Sequence, residues 1–182
     1  MAMSTRSIPY VYLDTTIILD VIRGRKRASI LLLERAKSGN IKACTSLLCL
    51  LELIDKEQEH FFESKMHRNG YSFNEILKRR NQRNLREDDL LEAFDKVDRV
   101  FVAPYKKVID FCYLEGAGWD KAVELMQMLN LRSNDAIHLA TALVMKCNLL
   151  ITNDQHFLEN AQKVIPASFP ENIDKKLKEL GF

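Results

Sequence analysis

The hydrophobic pattern predicts a short buried strand near the start of the chain. Residues 10–13 read Tyr-Val-Tyr-Leu with no polar alternation, which is typical of a strand buried on both faces of a parallel sheet. Asp14 follows at once. Two interpretations of Asp14 are open at this stage. It caps the helix that follows, or it belongs to a ligand site at the carboxyl edge of an α/β sheet.

Other apolar segments predict further strands at 41–44, 100–103 and 149–152, with a short edge strand at 164–165. Amphipathic helical patterns separate them, and one of these helices is expected over 105–114. Strands that alternate with helices predict an α/β fold with a central, mostly parallel sheet.

The segment 56–98 is strongly charged and helical in pattern. It predicts a helical insert within a single domain that spans 1–182, and 170–182 predicts a C-terminal helical tail. Asp55, Glu57 and Glu59 are expected on the surface, because charged side chains are rarely buried without a partner.

Composition narrows the class of protein. The chain has 182 residues, 47% hydrophobic and 29% charged, with a net charge of +2, which is ordinary for a folded domain. No apolar run approaches the roughly 20 residues of a membrane-spanning helix, and no apolar segment near the start resembles a signal peptide. Four cysteines without a C-x-x-C pair are typical of a reducing cytoplasm and do not suggest a zinc site.

Three more acids occur where the chain is expected to return to the edge of the sheet that carries Asp14. Glu52 lies inside an apolar helix, Asp135 lies in the first turn of another helix, and Asp154 follows the strand at 149–152. Two of them have an ordinary structural alternative. Glu52 would lie on a narrow solvated stripe, and Asp135 would complement the helix dipole. His138 is expected to be a surface or core histidine.

If the four acids meet, their charges must be neutralised. Two carboxylates about 5 Å apart repel by roughly 3 kcal/mol at an effective dielectric constant near 20. Such a cluster takes up protons or binds a hard divalent cation. Oxygen ligands alone favour Mg²⁺ or Mn²⁺ over zinc, and ions held in this way suit phosphodiester hydrolysis.

Four segments, in order, carry a family resemblance: LDTT, TSLLCLLELI, SNDAIHLATAL and LLITNDQHF. Together they resemble the PIN-domain nucleases, especially VapC-like toxins and their archaeal relatives. The resemblance implies a three-layer α/β/α fold around a mostly parallel sheet, with a helical insert that is longer here than in compact toxins. It implies a catalytic and metal-binding role for Asp14, Glu52, Asp135 and Asp154.

The same resemblance implies supporting hydroxyl groups at Thr15 and Thr152. Thr16 stands where the family often has asparagine, so its hydrogen bond is expected to differ. The activity implied is that of a Mg²⁺- or Mn²⁺-dependent endoribonuclease. The partners implied are RNA, a second copy of the chain in a homodimer, and a small antitoxin protein.

Basic side chains are candidates for RNA contacts, because Lys and Arg supply most non-specific affinity for phosphates. The candidates are Arg23, Arg25, Lys78, Arg79, Arg80, Arg83 and Arg86. A solvated helix face or a subunit contact explains the run in the insert at least as well.

Three rival functions are considered. The first is a PIN-like module that binds RNA or protein without cutting, and the presence of all four acids counts against it. The second is a haloacid-dehalogenase-like phosphatase, which is disfavoured because Thr16 stands where that fold would need a second aspartate. The third is a flap nuclease of the wider superfamily that acts on DNA.

Overall fold

A five-stranded parallel sheet organises the chain, of which the computed structural model describes residues 7–182. The strands are β1 (Tyr10–Leu13), β2 (Lys42–Ser46), β3 (Ile109–Cys112), β4 (Leu149–Ile151) and β5 (Ala167–Ser168). Their order across the sheet is β3-β2-β1-β4-β5, and each neighbouring pair is parallel. The α/β prediction is therefore confirmed.

Helices cover both faces of the sheet and give the three layers of a PIN-like α/β/α fold. The helices are α1 (Thr15–Ile22), α2 (Arg27–Lys37), α3 (Leu47–Arg68), α4 (Phe73–Arg79), α5 (Glu87–Val97), α6 (Ala103–Tyr105), α7 (Ala117–Leu129), α8 (Ser133–Val144), α9 (Gln155–Ala161) and α10 (Ile173–Glu179). One hydrophobic core packs Val11 and Leu13 against α1, α2, α3 and α10, and the other packs Tyr12 and Leu150 against α7, α8 and α9.

The strand order places the topological switch point of the sheet beside β1. The chain starts at β1 in the middle of the sheet, adds β2 and β3 on one side, and returns to the other side for β4 and β5. Leu13 pairs with Ile151, so the carboxyl ends of β1 and β4 lie next to each other. Open α/β sheets bind ligands at such a point, and both Asp14 and Asp154 leave the sheet there.

The third strand lies later in the chain than the hydrophobic pattern predicted. Residues 98–105 are helical, formed by a π-helical turn at Asp98–Val102 and then α6. Val97, Phe101 and Tyr105 are all buried at four-residue spacing, which is one face of a helix. The strand at 100–103 and the helix at 105–114 were therefore wrong, and 109–112 forms the edge strand β3.

The fifth strand also begins later than predicted. Leu150 donates its backbone N–H to the carbonyl oxygen of Pro166 at 2.9 Å, so pairing with β4 starts only there. Residues 164–165 lie outside the sheet, and β5 is 167–168.

The segment 56–98 is largely helical, but α3 runs unbroken through residue 56 to Arg68. The boundaries of an insert and the single-domain reading stay predictions. Two surface assignments in this segment were wrong, since Glu57 and Glu59 are buried. Glu57 is fully buried because Arg23 Nε and Lys96 Nζ contact its two oxygens at 2.8 and 2.6 Å.

Across the described residues 7–182, every helix is too short or too polar to cross a membrane.

Candidate metal centre

Asp14 lies at the carboxyl end of β1, beside the topological switch point of the sheet, and is only 5% exposed. It does cap α1, since Oδ2 accepts from the backbone N–H of Thr16 at 3.4 Å. The same oxygen accepts from the hydroxyl groups of Thr16 at 2.5 Å and Thr152 at 2.7 Å. The cap and the ligand site are thus compatible, because every hydrogen bond that the Asp14 carboxylate accepts within residues 7–182 falls on Oδ2 and leaves Oδ1 available.

Backbone groups fix the direction of both hydroxyl donors. Thr16 Oγ1 accepts from the backbone N–H of Asn153 at 3.0 Å, and Thr152 Oγ1 accepts from the backbone N–H of Asp154 at 3.0 Å. With that N–H on one side, each hydroxyl turns its own proton to Asp14. The end of β4 therefore orients the carboxylate at the end of β1.

Glu52 projects from α3 into the same region and is half-buried. Its Oε2 accepts from the hydroxyl of Thr15 and from His138 Nε2, the latter at 2.8 Å, and its Oε1 accepts from Asn134 Nδ2 at 2.7 Å. Burial disfavours the charged carboxylate, but these three donors outweigh it and hold the pKa of Glu52 below its usual value.

His138 is 2% exposed and is a hydrogen-bonded part of the site, not a plain core histidine. Its Nδ1 lies 2.7 Å from the hydroxyl of Tyr12, which itself accepts the backbone N–H of Ser46 at 3.0 Å. The phenol proton therefore points to Nδ1, so in the neutral ring Nε2 carries the hydrogen that is donated to Glu52.

Asp135 lies in the first turn of α8, near both Asp14 and Asp154. Burial raises the pKa of its carboxyl, and the charges of Asp14 and Asp154 raise it further. Those two neighbours act through space, so the three aspartates share one electrostatic environment. Asp154 is exposed and also caps α9, since its Oδ1 accepts from the backbone N–H of Phe157 at 2.9 Å.

All four predicted acids line one open cleft of about 450 Å³. Thr15, Thr16, Asn134 and His138 contribute polar groups to its walls, and Leu19, Leu48, Leu51 and Phe157 contribute apolar ones. The four acids predicted from the sequence therefore share one cleft, and their role as metal ligands stays a prediction.

The donor set suits a hard divalent cation, because it consists of carboxylate oxygens and includes a carboxyl group whose charge is disfavoured by its neighbours. As arranged in the part of the chain described, no three His, Cys, Asp or Glu side chains are gathered closely enough to hold one ion. The carboxylate of Glu52 faces its three hydrogen-bond donors, Thr15, Asn134 and His138.

A model of the PIN domain family matches residues 11–163, which includes all four acids. The chain belongs to the PIN domain family. Members of this family are generally nucleases that use divalent metal ions. No curated protein matches the chain in sequence.

Solved structures share the PIN fold at low sequence identity. A toxin–antitoxin complex from Klebsiella pneumoniae is 17% identical, with 88% of this chain and 97% of that chain covered at a TM-score of 0.51. VapBC2 from Rickettsia felis, bound to a DNA fragment from its promoter, is 17% identical, with 88% and 98% covered at 0.54. FitAB bound to the IR36 DNA fragment is 12% identical, with 88% and 94% covered at 0.53.

Most of the basic residues predicted to contact RNA are paired with acids in this PIN domain. Besides Arg23 with Glu57, the ion pairs are Arg25 with Asp20, Arg80 with Glu59, Arg83 with Asp55 and Arg86 with Asp89. Arg79 lies over the ring of Tyr71, 4.7 Å from its centroid, and Lys78 is exposed. A role of these seven residues in RNA binding stays a prediction.

Sequence reasoning missed three residues that contribute to the candidate site. His138 was assigned to the surface or the core, and Tyr12 and Asn134 were not considered. One signal was available for His138, because it follows Asp135 by three positions and residues so spaced share a helix face. No comparable signal marked Tyr12. Alternation along β1 decides which face of the sheet its side chain takes, but the contact of its hydroxyl with His138 is visible only in the structure.

Proposed function

We propose that this protein is a metal-dependent endoribonuclease that hydrolyses RNA phosphodiester bonds. One observation carries the proposal. The charges of Asp14 and Asp154 act on Asp135 in a single cleft that Glu52 also lines, at the topological switch point of a PIN fold. Burial and neighbouring charge oppose the ionisation of Asp135, so a cation placed there would be bound favourably.

Asp14, Glu52, Asp135 and Asp154 would hold the ion, which we propose is Mg²⁺ or Mn²⁺. When bound, it supplies Lewis acidity, which withdraws negative charge from the phosphate and makes an attacking water easier to deprotonate. The open cleft of about 450 Å³ leaves room for a phosphodiester beside the acids.

Neighbouring side chains fix the orientation of Asp14 and of Glu52. Thr16 and Thr152 hold Oδ2 of Asp14. Tyr12 holds the tautomer of His138, which in turn donates to Glu52 at 2.8 Å. Preorganised ligands of this kind raise the affinity for metal, and losing such support costs about 10- to 100-fold in affinity or activity in other metal sites.

We place the RNA along the cleft, with the basic residues outside it as candidate phosphate contacts. Those candidates are Arg23, Arg25, Lys78, Arg79, Arg80, Arg83 and Arg86. Five of them already pair with carboxylates, so their contribution depends on how readily RNA displaces those partners.

We further propose that the protein is the toxin of a toxin–antitoxin pair and forms a homodimer in the cytoplasm. The likeness to the Klebsiella pneumoniae complex and to VapBC2 supports an antitoxin partner. Trp119 and Val123 are four positions apart on α7 and more than half exposed, which favours a protein contact. Light scattering tests the homodimer, because it measures the molar mass of the protein in solution.

The toxin assignment has a separate test in the gene neighbourhood. A small neighbouring gene with a DNA-binding N-terminus would support the toxin assignment, and its absence would favour RNA processing.

The enzyme assay compares labelled single-stranded RNA with branched DNA, in Mn²⁺ and in chelator. Wild type and the Asp14→Asn variant are tested beside Asp95→Asn, which removes an exposed acid of α5. The proposal predicts RNA cleavage by wild type and Asp95→Asn only, and only with metal present.

The rival functions give different results in the same assay. If wild type and Asp14→Asn leave RNA equally intact with Mn²⁺ present, the enzyme proposal is lost and a binding module is favoured. Preferential cleavage of branched DNA would instead assign a flap nuclease.

A further inference from the structure

A second, smaller cavity adjoins the acidic cleft. It has a volume of about 320 Å³ and is lined by Thr16, Leu19, Asp20, Arg25, Lys26 and Asn153. Thr16 and Leu19 line the acidic cleft as well, so a ligand that fills the cleft can continue into this cavity. The two spaces differ in charge, since the acidic cleft is lined by five carboxylates and one lysine, whereas the second cavity is lined by two cations and one carboxylate.

The side chain of Asn153 is held rigidly on the wall of this second cavity. Its Nδ2 donates to Oδ2 of Asp20 at 2.8 Å, and Ser29 Oγ lies 3.3 Å away. Asp20 is 5% exposed and Ser29 is fully buried. A buried carboxylate is costly unless it has partners, and here its hydrogen bonds fix an amide. The Oδ1 atom of Asn153 is thereby turned towards Lys26.

Lys26 carries a charge without a carboxylate partner among the residues described. Its Nζ donates to Oδ1 of Asn153 at 2.8 Å, which is a neutral acceptor. Arg25 Nη2 lies 3.4 Å from Asp20, and its side chain is 52% exposed. Lys26 is therefore more available to an anion than Arg80 or Arg83, which sit against carboxylates of α3. The Arg25–Asp20 pair is longer than the 2.9 Å pair of Arg83 with Asp55, and Arg25 is the more exposed of the two arginines.

The cavity is linked to the proposed metal centre by a short series of hydrogen bonds. The backbone N–H of Asn153 donates to Thr16 Oγ1 at 3.0 Å, and that hydroxyl donates to Asp14 Oδ2 at 2.5 Å. A group bound at Lys26 would thus lie at a fixed offset from a group bound at Asp14.

We propose that this cavity is a subsite for an RNA backbone phosphate next to the one that is cut, contacted by the Lys26 ammonium group and the Arg25 guanidinium group. Charge-assisted hydrogen bonds to phosphate are stronger than the bond to a neutral amide that Lys26 makes now. No lining residue is aromatic, so a phosphate fits better than a stacked base. This subsite rests on the nuclease function proposed above.

The test uses an RNA oligonucleotide with one cleavage position and a single methylphosphonate, which is uncharged, placed in turn at each neighbouring linkage. Wild type, Lys26→Gln and Lys26→Arg are compared with Lys178→Gln. Lys178 is an exposed lysine beside residues 7–9 and Asn40, which precede β1 and β2 at the opposite edge of the sheet.

We expect Lys26→Gln to raise KM about tenfold with kcat within about twofold, because a single phosphate contact is lost. Its salt dependence should fall by about 0.7 in the slope of log affinity against log salt, the value for one single-strand phosphate. One methylphosphonate position should weaken wild type and leave Lys26→Gln unaffected, and Lys26→Arg should restore the wild-type KM.

Two results would overturn the subsite. The first is a KM for Lys26→Gln equal to that of Lys178→Gln. The second is a methylphosphonate series in which every position weakens the binding of Lys26→Gln by the same factor as it weakens the binding of wild type. Failure of the nuclease function is separate, because then wild type leaves the RNA uncut with Mn²⁺. In that case the affinities of the uncut oligonucleotides still decide whether Lys26 contacts one phosphate.

Discussion

The hydroxyl of Tyr12 lies 2.7 Å from Nδ1 of His138, and the backbone N–H of Ser46 donates to the same hydroxyl at 3.0 Å. These two contacts join the end of β2, the middle of β1 and the helix α8. The hydroxyl accepts from Ser46 and donates to His138, so the ring presents its Nε2 hydrogen to Glu52. A buried tyrosine of the core thereby determines how an acid in the cleft is held.

Removing that hydroxyl should weaken the site without dismantling it. In Tyr12→Phe the ring still fills the core, but the tautomer of His138 is no longer fixed. We expect kcat for RNA cleavage to fall by about fivefold, the effect of one hydrogen bond worth roughly 1 kcal/mol. Tyr10→Phe is the matched control, since that hydroxyl donates to Asp110 in an exposed position. Equal rates in the two variants would contradict this role.

Substitutions of His138 separate hydrogen bonding from packing. His138→Gln can still donate an N–H to Glu52, whereas His138→Leu cannot. We expect His138→Leu to lower Mn²⁺ affinity or kcat by about 10- to 100-fold, and His138→Gln to recover most of the loss. Thermal melting checks that both variants fold. If His138→Gln and His138→Leu both fold and lose Mn²⁺ affinity or kcat to the same extent, His138 acts through its packing and not through Glu52.

The hydroxyl of Thr152 should support metal binding through Asp14. Thr152→Val keeps the shape of the side chain but removes the 2.7 Å hydrogen bond to Oδ2. We expect the Mn²⁺ affinity, measured by calorimetry, to drop by about tenfold. Thr141→Val is the control, because within residues 7–182 the hydroxyl of Thr141 bonds only to the carbonyl oxygen of Ile137 in its own helix. A similar loss in both variants would argue against a specific role for Thr152.

The hydrophobic pattern was a good guide to the centre of the sheet and a poor one to its edge. β1 and β4 are continuous apolar runs because both faces are covered, so both were predicted from sequence. At Phe101 the same kind of run lies on a helix, since Val97 and Tyr105 bury the same face. A four-residue apolar run does not distinguish the two cases.

The candidate site was predicted through its acids, because an acid after a buried strand or inside an apolar helix is conspicuous in a sequence. Its supporting residues were not predictable in this way. Tyr12 resembles any core aromatic, and Asn153 any loop amide, until the β1–β4 pairing brings them to their partners. Glu57 was misassigned for the same reason, since Arg23 and Lys96 are far from it in sequence.

Glu57 should contribute to stability rather than to catalysis. Burial raises the pKa of its carboxyl, but Lys96 and Arg23 outweigh burial and lower it below its usual value. Its stabilising effect is therefore complete above the unfolded pKa near 4.3 and is lost as the pH falls through the lower folded pKa. We expect Glu57→Gln to lower the free energy of unfolding by about 3 kcal/mol at pH 7.

Denaturant unfolding at several pH values checks this expectation. The difference between Glu57→Gln and wild type should shrink as the pH is lowered below about 4. Glu92→Gln, an exposed acid of α5, should match wild type throughout. A Glu57→Gln deficit that does not change with pH would show that lost packing, and not the ion pairs, destabilises the variant.

The central claim is that Asp14, Asp135 and Asp154, with Glu52, form a site for a hard divalent cation. Anomalous diffraction from crystals soaked in Mn²⁺ tests it most directly. The account predicts one or two strong anomalous peaks in the cleft. Carboxylate oxygens of Asp14 and Asp135 should lie about 2.1 Å from a peak, near the metal–oxygen distance of hard octahedral ions. A cleft without anomalous density at saturating Mn²⁺, in crystals where all four acids are ordered, would contradict it.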